Sequence, residues 1–241
     1  MRGCREARLG GEMPNPNAEI LPGVKWGRPD WVPSPAYWLA MTEQVTEASH
    51  GFVSQKATLH EEVGFCLLGG FGVTAEMNHA FFEVLRDADV FEPGAAIPAS
   101  EIEAMLLTPT DVAGSIRRYR FPKQKAKRIE AAICKLERDP PPLSDPVRFR
   151  DAILEIPGIG PKTASWIARN LLGTDDVAIL DIHVIRAGKI IGLFDEKVRL
   201  PRDYFKMEKR FIELSRALDV KVSLLDAIIW GEMRKLNRHD L

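Results

Sequence analysis

Pro157-Gly158-Ile159-Gly160 constrains this chain more than any other stretch, because it ends one helical pattern and opens another within four residues. Proline offers no N–H to an incoming helix, and glycines admit backbone angles closed to other residues. The segment therefore reads as a hairpin between helices. Pro161 suits the first position of the next helix, which the spacing of Ala164, Ile167, Ala168, Leu171 and Leu172 carries to Leu172. Bare N–H groups and the positive end of a helix dipole then stand beside a turn with little side chain. That arrangement binds phosphate, and a phosphodiester backbone is its natural ligand.

Lys162 lies just inside the new helix. Nineteen residues later Asp181 follows the apolar run Val177-Ala178-Ile179-Leu180 and precedes another helical pattern, where it suits an N-cap. Either residue alone would read as an ordinary solvated charge. Together, PGIG-x-K and the later L-D-I-H-V-x-R resemble the helix-hairpin-helix, Gly/Pro-Asp superfamily of base-excision DNA glycosylases. The resemblance implies that Gly158, Ile159 and Gly160 grip DNA phosphate. It further implies that Lys162 attacks C1′ of the damaged nucleotide to form a Schiff base, and that Asp181 is the essential carboxylate. A non-catalytic helix-hairpin-helix module would need no such Lys–Asp pair.

A second constellation concerns the base. Trp166 lies four residues after Lys162, and Asp226 lies four before Trp230, so each pair shares a helix face. These positions resemble the 8-oxoguanine glycosylase/AP lyase branch, where two aromatics sandwich the flipped base and a polar residue reads the purine. A carboxylate can accept from guanine N1–H and N2–H together, a pair adenine does not offer. Stacking on indoles is worth about 1–3 kcal/mol per base. An oxidised-pyrimidine glycosylase/lyase is the alternative with the same nucleophile. Relatives usually place Asn or Gln where Gly69 and Gly70 stand, leaving the residue that fills the gap of the flipped base unassigned. The endonuclease III branch often carries a four-cysteine iron–sulfur loop, which Cys4, Cys66 and Cys134 cannot supply. The tail after Trp230 differs from that of short archaeal relatives, so no base-reading role passes to Leu241. No cofactor is expected beyond a monovalent cation on hairpin carbonyls, which some relatives hold.

The net charge of −1 gives no hint of a DNA partner, but its distribution does. From Ser115 to Arg138 nine basic residues face two acids, a net of +7, whereas Glu83 to Glu103 carries a net of −5. Arg120, Lys123, Lys125 and Lys127 in the basic stretch are candidate phosphate contacts, as are His183 and Arg186 beyond Asp181. Double-stranded DNA with a damaged base is the expected partner, and a monomer the expected state. The chain has neither an apolar run of membrane-spanning length nor a signal-like N-terminus, and its few cysteines suit a reducing cytoplasm.

The fold class expected is all-α, with roughly ten helices in two lobes, the hairpin at a DNA-binding cleft and no strand signals. Residues 1–35, rich in Gly and Pro, are expected to be extended and partly mobile, with Trp26, Trp31 and Trp38 pinning their later part. Residues 36–58 and 175–241 form one expected lobe, and 59–174 the other, with Leu59 to Leu68, Phe81, Phe82 and Leu85 in its core. Thr74 is expected to cap one helix, and Ser100 with Glu103 to form a capping box on another.

Overall fold

The computed structural model describes residues 14–44 and 58–236. The expected mobility of residues 1–13, and the tail from 237 onward, lie outside them. Ten helices are present among the described residues: α1 (Pro35–Gln44), α2 (Leu59–Leu68), α3 (Ala75–Asp87), α4 (Ala99–Leu107), α5 (Pro122–Arg138), α6 (Pro146–Leu154), α7 (Pro161–Leu172), α8 (Ile182–Ile190), α9 (Tyr204–Leu218) and α10 (Val222–Lys235). None is long and apolar enough to cross a membrane. The chain divides into two compact units, Met1–Val53 with Gly173–Leu241, and Ser54–Leu172.

Two small antiparallel hairpins depart from the expectation of helices alone. β1 (Glu19–Leu21) pairs with β2 (Val24–Lys25), and β3 (Thr110–Val112) with β4 (Ser115–Arg117). The second turns through Ala113 and Gly114, both at positive φ, with Gly114 N–H donating to Asp111 Oδ1 at 2.7 Å. That is the primed-turn geometry of a two-residue hairpin, and strands this short are too brief for an alternating pattern to show. The first hairpin ties down part of the Pro-rich start. Trp26 and Trp38 are buried as expected, but Trp31 is 46% exposed.

In the Ser54–Leu172 unit, α2 packs against α3, α5 and α7, α4 against α5, and α6 against α7. Val63, Leu67 and Leu68 of α2, with Phe81, Phe82 and Leu85 of α3, are buried as their spacing predicts. Thr74 caps α3 by accepting from Met77 N–H. The capping box expected at Ser100 is absent, because α4 begins at Ala99 and its first amide donates instead to Glu130 Oε1 of α5 at 2.8 Å. A distant carboxylate thus supplies what a local cap would. The capping box of this unit is Thr58 with Glu61, at the start of α2.

In the other unit α10 packs on α1, α8 and α9 around a core that includes Trp38, Phe211, Leu214 and Leu225. Val177–Leu180 enters this core without a strand partner, yet buried backbone N–H groups must be paired. Side chains provide the partners. Ala178 N–H donates to Glu208 Oε1 at 3.0 Å, Ile179 N–H to Asp226 Oδ2 at 3.0 Å, and Leu180 N–H to the Tyr204 hydroxyl at 3.1 Å; that hydroxyl in turn donates to Ala178 C=O at 2.8 Å. Tyr204→Phe leaves two buried backbone groups without the hydroxyl, at a cost of about 1–3 kcal/mol. Urea denaturation is expected to show a lower midpoint at unchanged slope, and an unshifted midpoint would contradict this pairing.

Candidate active site

The turn that joins α6 to α7 is built as its sequence demands. Asp145 caps α6 by accepting from Val147 and Arg148 N–H, and the helix ends at Leu154. Ile159 N–H donates to Ile156 C=O, Gly158 takes φ +98°, and Ala164 N–H closes the first turn of α7 onto Gly160 C=O. A side chain at Gly158 would be strained, and would also meet Arg128, whose Cδ lies 2.8 Å from where a Cβ would stand. Arg128 of α5 is thus laid along the hairpin. It belongs to the basic stretch, but only the tertiary packing of α5 brings it to this turn. Ile159 does not serve as expected: its side chain is buried and its N–H is committed within the turn, leaving the glycines as the open backbone.

Lys162 is exposed in the first turn of α7, and Trp166 and Asn170 follow at four-residue intervals along one ridge. Glu62 of α2, only 6% exposed, faces them. Its Oε1 accepts from Trp166 Nε1–H at 3.0 Å and from Asn170 Nδ2–H at 2.8 Å. One turn further along α2 stands Cys66. Burial pushes its thiol well above the ordinary range, the Glu62 charge adds to this, and the Lys162 charge opposes it. Glu62 beside Trp166 and Asn170, and Cys66 within the field of Lys162, set the two helices antiparallel. The C-terminus of α2 therefore lies toward the hairpin end of α7. Glu62 carries no motif that marks it in the sequence; its partners are more than a hundred residues away.

Lys125 departs from its expected role as a phosphate contact. It is 7% exposed, and its ammonium donates to Leu67 C=O at 2.5 Å and Gly69 C=O at 2.6 Å. Burial, with the neighbouring Arg128 charge, pulls its pKa below the usual lysine value. A cation on the last carbonyls of α2 complements the helix dipole, so Lys125 is spent inside the unit. Arg120, Lys123 and Lys127 remain exposed, as do Arg117 and Arg118 on and after β4.

Asp181 caps α8, its Oδ1 accepting from His183 and Val184 N–H at 2.9 Å each, so the side chain is fixed in orientation. His183 is half-buried in the first turn of α8. Arg186, expected to touch DNA, instead donates from Nη2 to Met233 C=O and to Leu236 C=O, closing the C-terminal turn of α10. Asp226 is 4% exposed and holds Ile179, while one turn later the Trp230 ring lies under the Arg234 guanidinium, 4.4 Å from its centroid. Among the described residues no group of three or more His, Cys, Asp or Glu converges as a metal site. The carbonyls of Ile156 and Gly160 each accept one backbone N–H and have a second lone pair, the donor chemistry a monovalent cation at the hairpin would use.

A family model described as 8-oxoguanine DNA glycosylase matches residues 42–220. The 8-oxoguanine DNA glycosylase/AP lyase of Metallosphaera sedula is 37% identical over 116 residues, 46% of this chain and 57% of the relative. That of Methanocaldococcus jannaschii is 38% identical over 80 residues, 32% of this chain and 38% of the relative. The chain thus spans little more than half the length of the first of these, and less of the second. Among solved structures, the 8-oxoguanine DNA glycosylase of Thermotoga maritima superposes with a TM-score of 0.57 at 25% identity, covering 82% of this chain and 96% of that one. The Methanocaldococcus jannaschii enzyme gives 0.53 at 26% identity, covering 73% and 78%.

Glu62 offers a direct check of the α2–α7 geometry. Glu62→Ala strands the Trp166 and Asn170 donors and is expected to cost about 1–3 kcal/mol. The Trp166 indole N–H resonance should move and exchange faster in that variant, whereas Glu62→Gln, which keeps a carbonyl acceptor, should preserve it. An indole resonance unmoved in Glu62→Ala would contradict the hydrogen bond.

Proposed function

The chain belongs to the 8-oxoguanine DNA glycosylase family, and we propose that it is a bifunctional DNA glycosylase/AP lyase that excises 8-oxoguanine from double-stranded DNA. The observation that carries the proposal is the exposed Lys162, one residue inside a helix that opens from a glycine hairpin overlaid by Arg128. A nucleophilic amine and a phosphate-binding turn on adjacent residues place the attack beside the backbone that must be held. The hairpin glycines and the exposed Arg120, Lys123 and Lys127 bind phosphates while the lesion rotates out of the stack. Unstacking costs a few kcal/mol, which these contacts offset.

The chemistry follows from the residues. The Lys162 amine, deprotonated, attacks C1′ as the N-glycosidic bond breaks; the base leaves with the bonding electron pair and takes up a proton. Positive charge builds on the sugar in that step, and Asp181 is assigned its stabilisation, a role that suits a carboxylate fixed by two backbone N–H bonds. Ring opening gives a protonated Schiff base between Lys162 and C1′. Loss of a C2′ proton then expels the 3′ phosphate by β-elimination and nicks the strand. Trp166 and Trp230 are assigned to stack the extruded base, and Asp226 to accept from its N1–H and N2–H. No step passes through a metal; a monovalent cation on the Ile156 and Gly160 carbonyls would brace the hairpin against phosphate. The protein acts as a monomer in this reading.

Borohydride reduces a Schiff base to a stable amine and so reports the nucleophile. Lys162→Gln is expected to abolish covalent trapping on an 8-oxoguanine duplex while leaving duplex binding within about threefold, since the hairpin is untouched. A variant that still traps would refute Lys162 as the nucleophile.

A further inference from the structure

Phe71 is 99% exposed, and nothing in the proposed chemistry uses it. It stands at the corner of a tight turn in which Val73 N–H donates to Gly70 C=O at 3.1 Å. Gly72 follows at φ +81° and Gly70 precedes at φ +125°. Gly72 thus occupies the third turn position, where a positive φ defines a type II turn, and Phe71 is held at the second, pointing away from the fold. The turn is pinned at its base. Lys125 bonds the Leu67 and Gly69 carbonyls, the Tyr119 hydroxyl bonds Leu68 C=O, and Asn78 Nδ2–H donates to Phe65 C=O at 3.2 Å. The Arg120 guanidinium lies against Gly72, where a Cβ would come within 2.2 Å of Nη1.

This turn stands at the hairpin end of the unit. It continues from the end of α2 that points toward Lys162, as the Glu62 and Cys66 partners establish. Helix α5 ties it to the hairpin, since Lys125 holds the turn and Arg128, three residues on and therefore on the same face, lies over Gly158. A rigidly presented aromatic flanked by glycines and a guanidinium, on the face that carries the nucleophile, matches an apolar wedge that enters a base stack.

We propose, resting on the functional reading above, that Phe71 inserts into the duplex at the lesion and fills the space vacated by the extruded base. Its ring stacks on the neighbouring pairs, and Arg120 holds the adjacent phosphate. The wedge is a positioning residue, acting on the DNA rather than on the reacting bond. Polar gap-fillers hydrogen-bond to the orphaned base; a phenyl ring cannot, so extrusion here depends on bulk and stacking, with little direct recognition of the opposite base.

Single-turnover release of 8-oxoguanine from a duplex is the test, with wild type, Phe71→Ala and Phe71→Leu compared. Phe71→Ala is expected to slow release by about tenfold or more while Phe71→Leu stays within about threefold, because an apolar wedge of similar reach is kept. The same Phe71→Ala protein should release the base at near wild-type rate when the lesion sits in an unpaired bubble, where no stack has to be opened. Fluorescence of 2-aminopurine next to the lesion should rise on binding of wild type and much less with Phe71→Ala. Equal duplex rates for wild type and Phe71→Ala would overturn the wedge, as would a Phe71→Ala defect that persists in the bubble. Wild-type protein inactive on every lesion substrate would overturn the functional reading itself, a distinct outcome.

Discussion

Everything on the carboxylate side of this protein rests on how three consecutive amides, Ala178 to Leu180, are satisfied without a sheet. Glu208, Asp226 and Tyr204 take them one by one from two helices, and Asp181 emerges directly from the segment so held. Three buried polar side chains in a helical core are costly unless each is paired, and here each partner is a backbone group that would otherwise be stranded. Asp226 therefore has a structural duty whatever its part in reading a base. The position of Asp181 is fixed at both ends: the preceding amides are anchored from α9 and α10, and its own oxygen caps α8.

The unit that carries Lys162 solves a similar problem at the end of α2. Lys125 and Tyr119 take its last carbonyls, and Glu62 near its start takes the indole and amide donors of α7. One helix thus fixes the ridge that bears Lys162 and presents the turn that bears Phe71. Rigidity in both places suits the proposed reaction, in which a distorted duplex is held while a single bond is broken.

The helical architecture was legible from sequence where its signals are local. Thr74 and Asp181 cap helices as their positions predict, and Pro161 opens α7. Three of the misses share one cause, which is that a distant partner decided the outcome. Glu130 replaces a cap at Ser100, the α2 carbonyls draw Lys125 inward, and the end of α10 draws in Arg186. A basic stretch gives the sign of a surface but not which of its members point outward. Glu62 was invisible for the same reason. No local pattern marks Phe71 either, because its exposure is set by the Gly70–Val73 turn that holds it.

In the proposed reaction an amine on a phosphate-binding hairpin attacks a nucleotide whose oxidised purine has been extruded. Borohydride trapping of the wild-type protein on duplexes that differ only in the lesion tests it most directly: 8-oxoguanine, an oxidised pyrimidine, uracil and a preformed abasic site. A covalent complex with 8-oxoguanine and with the abasic site, but with neither pyrimidine, is the result predicted. Trapping on the oxidised pyrimidine with none on 8-oxoguanine would contradict the assignment of the base pocket, and no trapping on any duplex would contradict the lysine chemistry.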